Sequence, residues 1–253
     1  MIDRAAAIAD FGRDGYARLG PVLDPMTLEG LRQRTTELML GQVVHPGLFF
    51  QMDAASGDYR DAPLGLGWQG PSLRYRKLEK LELDERFRLL IAHPALEPVI
   101  RELIPGGVAL YRAIVFSKAA EGGSEIPWHQ DAGRLWGLDR SPLLQVWTAL
   151  DDAPADGGCL EVVPGTHALG LATPLGGLVP ADQVARERAE ARAVALPVAA
   201  GESLLLHNLV WHRSGRTRTG LRRLAFSACY LDLETRCVRR RRAPRQFFRV
   251  FAP

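Results

Sequence analysis

A mainly β protein, with a sandwich or barrel core and helices on its outside, is the fold class this sequence predicts. Three observations point there. Apolar residues in the first part of the chain recur at helical spacing; from Val108 onward they fall into short runs; and Gly/Pro-rich turn signals separate those runs. A double sheet of that kind is a natural cup for one metal site.

The elements follow in order. Residues 3–14 carry helical spacing (Ile2, Ala6, Ala9, Phe11) and stop at Gly15, and Tyr16–Leu23 reads as a short strand. Asp24 followed by Pro25 is an N-cap with proline at the first helical position. The helix then runs to about Leu40, with Leu28, Leu31, Thr35, Leu38 and Met39 on one side and Gly41 as the stop. Residues 42–71 have no clear period but hold Phe49, Phe50, Met52, Tyr59 and Trp68 among Gly, Pro and Asp. A loop of this length is usually functional. An apolar lid over a pocket and plain surface packing are the two readings of it. Two short helices follow, over about 84–92 and 95–103, split by His93-Pro94.

The β-like runs are 108–118, 143–151, 159–163, 194–198, 202–206 and 222–232. Gly122-Gly123, Asp156-Gly157-Gly158, Pro164-Gly165 and Ala200-Gly201 punctuate them, and 181–192 reads as a brief helix. Residues 1–253 therefore read as a single domain. Helices and lid occupy about 1–107, the β core about 108–232, and a basic C-terminal segment 233–253.

Composition excludes several classes. The chain is 47% hydrophobic with a net charge of only +3, so it is not disordered. Its longest apolar runs, such as Leu143–Leu150, are far short of a bilayer span. Three cysteines without CxxC spacing make neither a disulfide framework nor a zinc knuckle. Reduced thiols, and an opening Met1–Asp10 stretch that acid and base interrupt, predict a cytoplasmic, unexported protein. Arg236, Arg239, Arg240, Arg241, Arg242, Arg245 and Arg249 form the densest cationic cluster. It is read as a solvated segment, and no nucleic-acid partner is expected.

Chemistry enters at Trp128-His129-Gln130-Asp131. In a strand, residues i and i+2 share a face, so His129 and Asp131 can reach one ion together. His212, just past the run 202–206, is the third ligand candidate. Two imidazoles and a carboxylate on one face of an ion leave the opposite positions open, as in non-haem Fe(II) oxygenases. An HxD alone is a weak signal. It gains from Ser214 and from Arg222-Arg223, which open an apolar run ending at Tyr230. A guanidinium buried near a metal needs an anionic partner, and its planar fork suits the distal carboxylate of a diacid.

The stretches WHQD, QVWTALDDAPADGGCLEVVPGTH and HRSGRTRTGLRRLAFSACY resemble the phytanoyl-CoA dioxygenase family of Fe(II)/2-oxoglutarate-dependent oxygenases. The resemblance is strongest over about 108–232 and rests on the ordered set HxD, WTA, GCL, PGTH and HxSG followed by arginine. It implies a double-stranded β-helix, a jelly-roll core, with His129, Asp131 and His212 as iron ligands. It implies Arg223 as the partner of the C5 carboxylate of 2-oxoglutarate, with Arg222 as the competing assignment. Arg223 is preferred because Arg223, Ala225 and Ser227 then share a strand face. Ser214 becomes a second cosubstrate contact, Trp147 flanks the cosubstrate, and Lys77 aligns with a lysine that reaches it from an earlier strand. A solvated cation is the other reading of Lys77.

The implied reaction uses Fe(II), 2-oxoglutarate and O2, releases succinate and CO2, and hydroxylates a C–H bond of a small molecule. Halogenating relatives carry a small residue in place of the carboxylate ligand, so Asp131 favours hydroxylation; desaturation, epoxidation and ring closure stay open. The rival reading is a cupin-like metal protein that binds a small ligand without turnover. His167 belongs to a structural turn, His207 is expected to bond a backbone carbonyl near the site, and His45 and His93 receive no role. Segments 42–71, 132–142 (with Arg134 and Trp136) and 168–183 are expected to shape the pocket. Aromatics in the first two suggest a partly apolar, mid-sized substrate such as a natural-product intermediate, and arginines there suit a carboxylate or phosphate.

Overall fold

A computed structural model describes residues 2–65, 67–120, 123–239 and 245–252. Arg240, Arg241 and Arg242 of the basic cluster, and Gly122 of the Gly122-Gly123 turn signal, lie outside the described residues.

Local chemistry starts and stops the helices where the sequence indicates. In α1 (Arg4–Asp14) the Asp3 side chain accepts the Ala6 N–H, and Gly15 closes the helix at φ +81. A Cβ at Gly15 would collide with the ring of His167. β1 (Tyr16–Pro21) leads to α2 (Pro25–Met39), where Asp24 accepts the N–H groups of Met26 and Thr27. β2 (Phe49–Met52), β3 (Tyr75–Glu79), α3 (Glu85–Ile91) and α4 (Glu97–Leu103) precede the core. The core strands begin with β4 (Val108–Lys118), β5 (Ile126–Gln130), β6 (Leu144–Ala149), β7 (Leu160–Val163) and β8 (Gly177–Leu178). After α5 (Ala181–Arg186) and α6 (Ala189–Arg192) come β9 (Val194–Leu196), β10 (Glu202–His207), β11 (Trp211–Ser214), β12 (Arg223–Asp232) and β13 (Phe248–Phe251).

The strands form two antiparallel sheets. The larger runs β1-β10-β6-β12-β4-β3-β2, with β13 added on β4; the smaller runs β8-β5-β11-β7-β9. This is the double-stranded β-helix architecture with flanking helices. Period-2 alternation sorts the side chains of the larger sheet. Leu224, Phe226, Ala228 and Tyr230 of β12, with Val146 of β6 and Val115 of β4, pack against Leu31, Leu38, Phe87 and Ile100 of the helices. The opposite face carries Trp147, Ala149, Leu204, Leu206 and Ala225, which meet Leu160, Val162 and Leu196 of the smaller sheet. The space left between the sheets is the site.

Several strands escape a sequence-only reading: β2, β3, β11 and β13 are each five residues or shorter. The segment 42–71 contains β2, so it is not loop throughout, and its apolar side chains divide. Phe50 is core, Trp68 is half exposed with its Nε1 donating to Met39 O, and Tyr59, Arg60, Ala62 and Leu64 reach the cavity. The C-terminal segment is not simply solvated. β13 pairs with β4, Arg245 donates to Tyr111 O and lies over the Tyr111 and Phe247 rings, and Arg239 Nη2 donates to Leu135 O at 2.9 Å.

Candidate active site

His129 and His212 are Cα partners across β5 and β11, with ring centroids 4.0 Å apart. His212 therefore sits within a strand rather than beyond one. Asp131 follows β5 immediately, and its Oδ2 lies 3.5 Å from His212 Nε2. One ligand atom from each of the three residues falls within 4.8 Å of the others. Both rings are oriented from behind: His129 Nδ1 faces Pro127 O at 2.8 Å and His212 Nδ1 faces Val210 O at 2.9 Å. A carbonyl only accepts, so each Nδ1 carries a proton and donates it, which leaves each Nε2 facing the shared space. Burial, followed by the neighbouring His212, pushes the His129 pKa down to about 4, which keeps the ring neutral.

The Asp131 carboxylate is held on both oxygens. Arg112 Nη2 donates to Oδ1 at 2.9 Å and Gln145 Nε2 donates to Oδ2 at 2.8 Å, while Ser227 Oγ donates to Gln145 Oε1 at 3.0 Å. Burial alone would push this carboxyl up, but the Arg112 guanidinium beside it outweighs that and holds the pKa well below the usual range. The backbone is fixed too. Asp131 N donates to Asn208 O at 2.9 Å, and Asn208 Nδ2 donates to Asp131 O at 2.8 Å. Arg112, Gln145 and Asn208 were not found from the sequence. Asn208 carries no motif signal, whereas the alternation of β6 that places Trp147 inward also places Gln145 inward. Arg112 shares the inward face of β4 with Phe116 by plain alternation, and a bulge just beyond it (Cys229 pairs with Arg112 and Tyr230 with Leu110) turns Tyr111 inward as well.

Arg223 lies on the inner face of β12, 3% exposed, with Trp147 at 5.7 Å from its guanidinium. Its Nη2 donates to Gly158 O at 3.1 Å, and its Nε and Nη1 are buried without a partner. Among the described residues no carboxylate forms an ion pair with it. Burial lowers its pKa to about 10, which still leaves it charged. Arg222 points the other way, toward Asp151 (3.5 Å) and Thr36 of α2. Ser214 and Lys77 line the same cavity of about 500 Å³ as the triad and Arg223, and Lys77 pairs with Glu79 at 2.9 Å rather than standing in solvent. Leu135, Trp136, Gly177 and Leu178 also line it, whereas Arg134 is exposed outside the lining.

The other histidines stay out of this cluster. His167 Nε2 faces Gly12 O, His45 Nε2 lies 2.8 Å from Asp84 Oδ2, and His207 Nδ1 accepts a backbone N–H, that of Leu209, rather than bonding a carbonyl.

The family model for phytanoyl-CoA dioxygenase (PhyH) matches residues 11–225, which include His129, Asp131, His212 and Arg223 and end within β12. The chain belongs to the phytanoyl-CoA dioxygenase family. Within that family, phytanoyl-CoA dioxygenase domain-containing protein 1 of Danio rerio is 29% identical over 156 residues, covering 58% of this chain and 53% of the relative. The chain thus spans about half the length of the curated relatives it matches. Two solved structures share the fold. The epimerase SnoN in complex with Fe3+, alpha ketoglutarate and nogalamycin RO aligns at TM-score 0.74 and 19% identity, covering 99% of this chain and 94% of that one. EctD from S. alaskensis with 2-oxoglutarate and 5-hydroxyectoine aligns at TM-score 0.72 and 18% identity, covering 100% and 85%. For this PhyH chain the likeness at such identities is one of fold. No helix among its described residues is long and apolar enough to cross a membrane.

Proposed function

We propose that this chain is a non-haem Fe(II)- and 2-oxoglutarate-dependent dioxygenase that hydroxylates a small-molecule substrate. The carrying observation is the pairing of two features in one cavity: three converging ligand side chains, and a buried guanidinium with two unsatisfied N–H positions. The first fits a divalent metal and the second fits a carboxylate.

The residues present fit both groups. His129 Nε2, His212 Nε2 and one Asp131 oxygen would hold Fe(II), and three ligands on one side leave coordination positions for a chelating keto acid and O2. When bound, the metal with 2-oxoglutarate supplies the oxidising power for C–H hydroxylation, with succinate and CO2 released.

This chain's own residues bind, orient and shield. Arg223 and Ser214 receive the far carboxylate of the cosubstrate, with Trp147 walling that end. Arg112 keeps Asp131 ionised and Gln145 fixes its plane, so the carboxylate needs little reorganisation to ligate. Trp136, stacked on Tyr111 at 4.5 Å and carrying the Arg112 guanidinium 4.4 Å from its ring, keeps water away from that pair. Lys77 stands at the cavity wall as a further contact for the cosubstrate.

The test is anaerobic titration followed by turnover. Fe(II) plus 2-oxoglutarate should give a visible charge-transfer band with the wild type and none with His129→Ala or Asp131→Ala. Admitting O2 should give succinate in the wild type alone. A tightly bound Zn(II) that no keto acid perturbs would favour a ligand-binding protein instead.

A further inference from the structure

Among the described residues six cationic side chains line the cavity, and all but two pair with a carboxylate. Arg60 pairs with Asp58 at 2.6 Å, Lys77 with Glu79 at 2.9 Å, Arg112 with Asp131 at 2.9 Å, and Arg213 with Glu161 at 2.9 Å. Arg223 and Arg76 are left. Arg76 is 8% exposed, and its one side-chain hydrogen bond is from Nη1 to Gln51 Oε1 at 3.2 Å. Its guanidinium sits 5.2 Å from the Tyr59 ring centre, and among the described residues no carboxylate forms an ion pair with it.

The placement of Arg76 follows from an irregularity in the sheet. Gln51 pairs with Lys77 and Met52 with Tyr75, so Arg76 is an extra residue on β3. Tyr75 and Leu78 face the helices as core, and Arg76 and Lys77 both face the cavity. Without this bulge, alternation would put Arg76 among the leucines of the helix face.

A buried guanidinium without a counter-ion is costly, and its planar fork matches the two oxygens of a carboxylate or phosphate. A 2-oxoglutarate dianion does not satisfy it under the reading above, because one carboxylate belongs at the metal and the other at Arg223. We propose that the primary substrate is an organic oxyacid, a carboxylate or phosphate monoester, whose anionic group docks on Arg76. This rests on the oxygenase reading and deepens it. The body of the substrate is apolar: Leu64, Leu135 and Leu178 line the same cavity while remaining 83%, 60% and 48% exposed, a hydrocarbon rim left open among the described residues.

The test is calorimetric, on full-length protein loaded with Zn(II) and N-oxalylglycine so that no turnover occurs. The probes are phenylbutanoate, phenylbutyl phosphate and the uncharged phenylbutanamide. At least one acid should bind about 10- to 100-fold more tightly than the amide, the range expected for a charge-assisted contact, and the tighter acid identifies the oxyanion. Arg76→Gln should abolish that preference while N-oxalylglycine affinity stays within about 3-fold, less than the loss of one hydrogen bond; Arg76→Lys should restore part of it. Unchanged thermal melting of both variants shows that they fold. Equal affinity for acid and amide, or no binding of any probe, would overturn the proposal. Parallel loss of N-oxalylglycine affinity in Arg76→Gln would also overturn it, by assigning Arg76 to the cosubstrate. If the Zn(II)-loaded wild type does not bind N-oxalylglycine, the oxygenase reading itself fails.

Discussion

Arg112 and Asp131 form an ion pair inside the site, Nη2 to Oδ1 at 2.9 Å, although Arg112 lies on the larger sheet and Asp131 follows a strand of the smaller one. The pair bridges the two layers at the carboxylate proposed to hold the metal. Removing the cation leaves a buried carboxylate unmatched and free to protonate or turn. Arg112→Leu should weaken Fe(II) or Zn(II) binding by about 10- to 100-fold, the usual effect of losing a ligand-orienting contact. Metal titration by calorimetry checks this. Arg112→Lys, which keeps charge but not the fork, should fall between.

The two adjacent arginines of β12 separate cleanly. Arg223 is buried on the inner face with unpartnered N–H groups, and Arg222 is turned toward Asp151. Arg223→Ala should raise the 2-oxoglutarate dissociation constant by about 100-fold or more, since a buried charge pair is worth several kcal/mol. Arg222→Ala should change it less than about 3-fold, as for an exposed ion pair. Binding of 2-oxoglutarate to the Zn(II)-loaded protein measures both. The reverse ordering would shift the assigned strand register by one residue.

A pH effect on stability centres on His207. Burial, and then the nearby His167, push its pKa down to about 4 from an ordinary value near 6.5. Its Nδ1 accepts the Leu209 N–H, which requires the neutral ring. The folded state binds this proton less readily than the unfolded one, so the stabilisation is complete above about pH 6.5 and declines as the pH falls toward 4. Thermal melting of the wild type should drop across that window. His207→Asn keeps an acceptor but no titrating ring, and its melting temperature should be flatter there.

The turn after Asp131 is pinned by a close crossing. Gly176 has φ +75, and a Cβ there would overlap the Ala132 carbonyl oxygen. Across the same crossing Arg134 N donates to Pro174 O and Leu135 N to Leu175 O, each at 3.1 Å. Gly176→Ala should cost about 1–3 kcal/mol, from the strained φ and the displaced chain. It should also weaken metal binding, because the segment that moves begins one residue past Asp131. Chemical denaturation and metal titration read the two effects separately.

Local sequence determined the helices, the long strands and the candidate metal-binding residues. Caps at Asp3 and Asp24, glycine stops, and period-2 runs such as those of β4 and β12 depend on neighbouring residues alone. His129 and Asp131 are likewise set together by i, i+2 spacing, and the inward face of Arg223 by its alternation with Ala225 and Ser227. Strands of five residues or fewer, such as β2 and β11, carry too little periodic signal and owe their extended form to partners supplied by distant chain. The tertiary structure alone decided the second layer of the site. Arg76 faces inward only because β3 has one residue more than its partner, and an unequal count between two paired strands cannot be seen in either strand by itself.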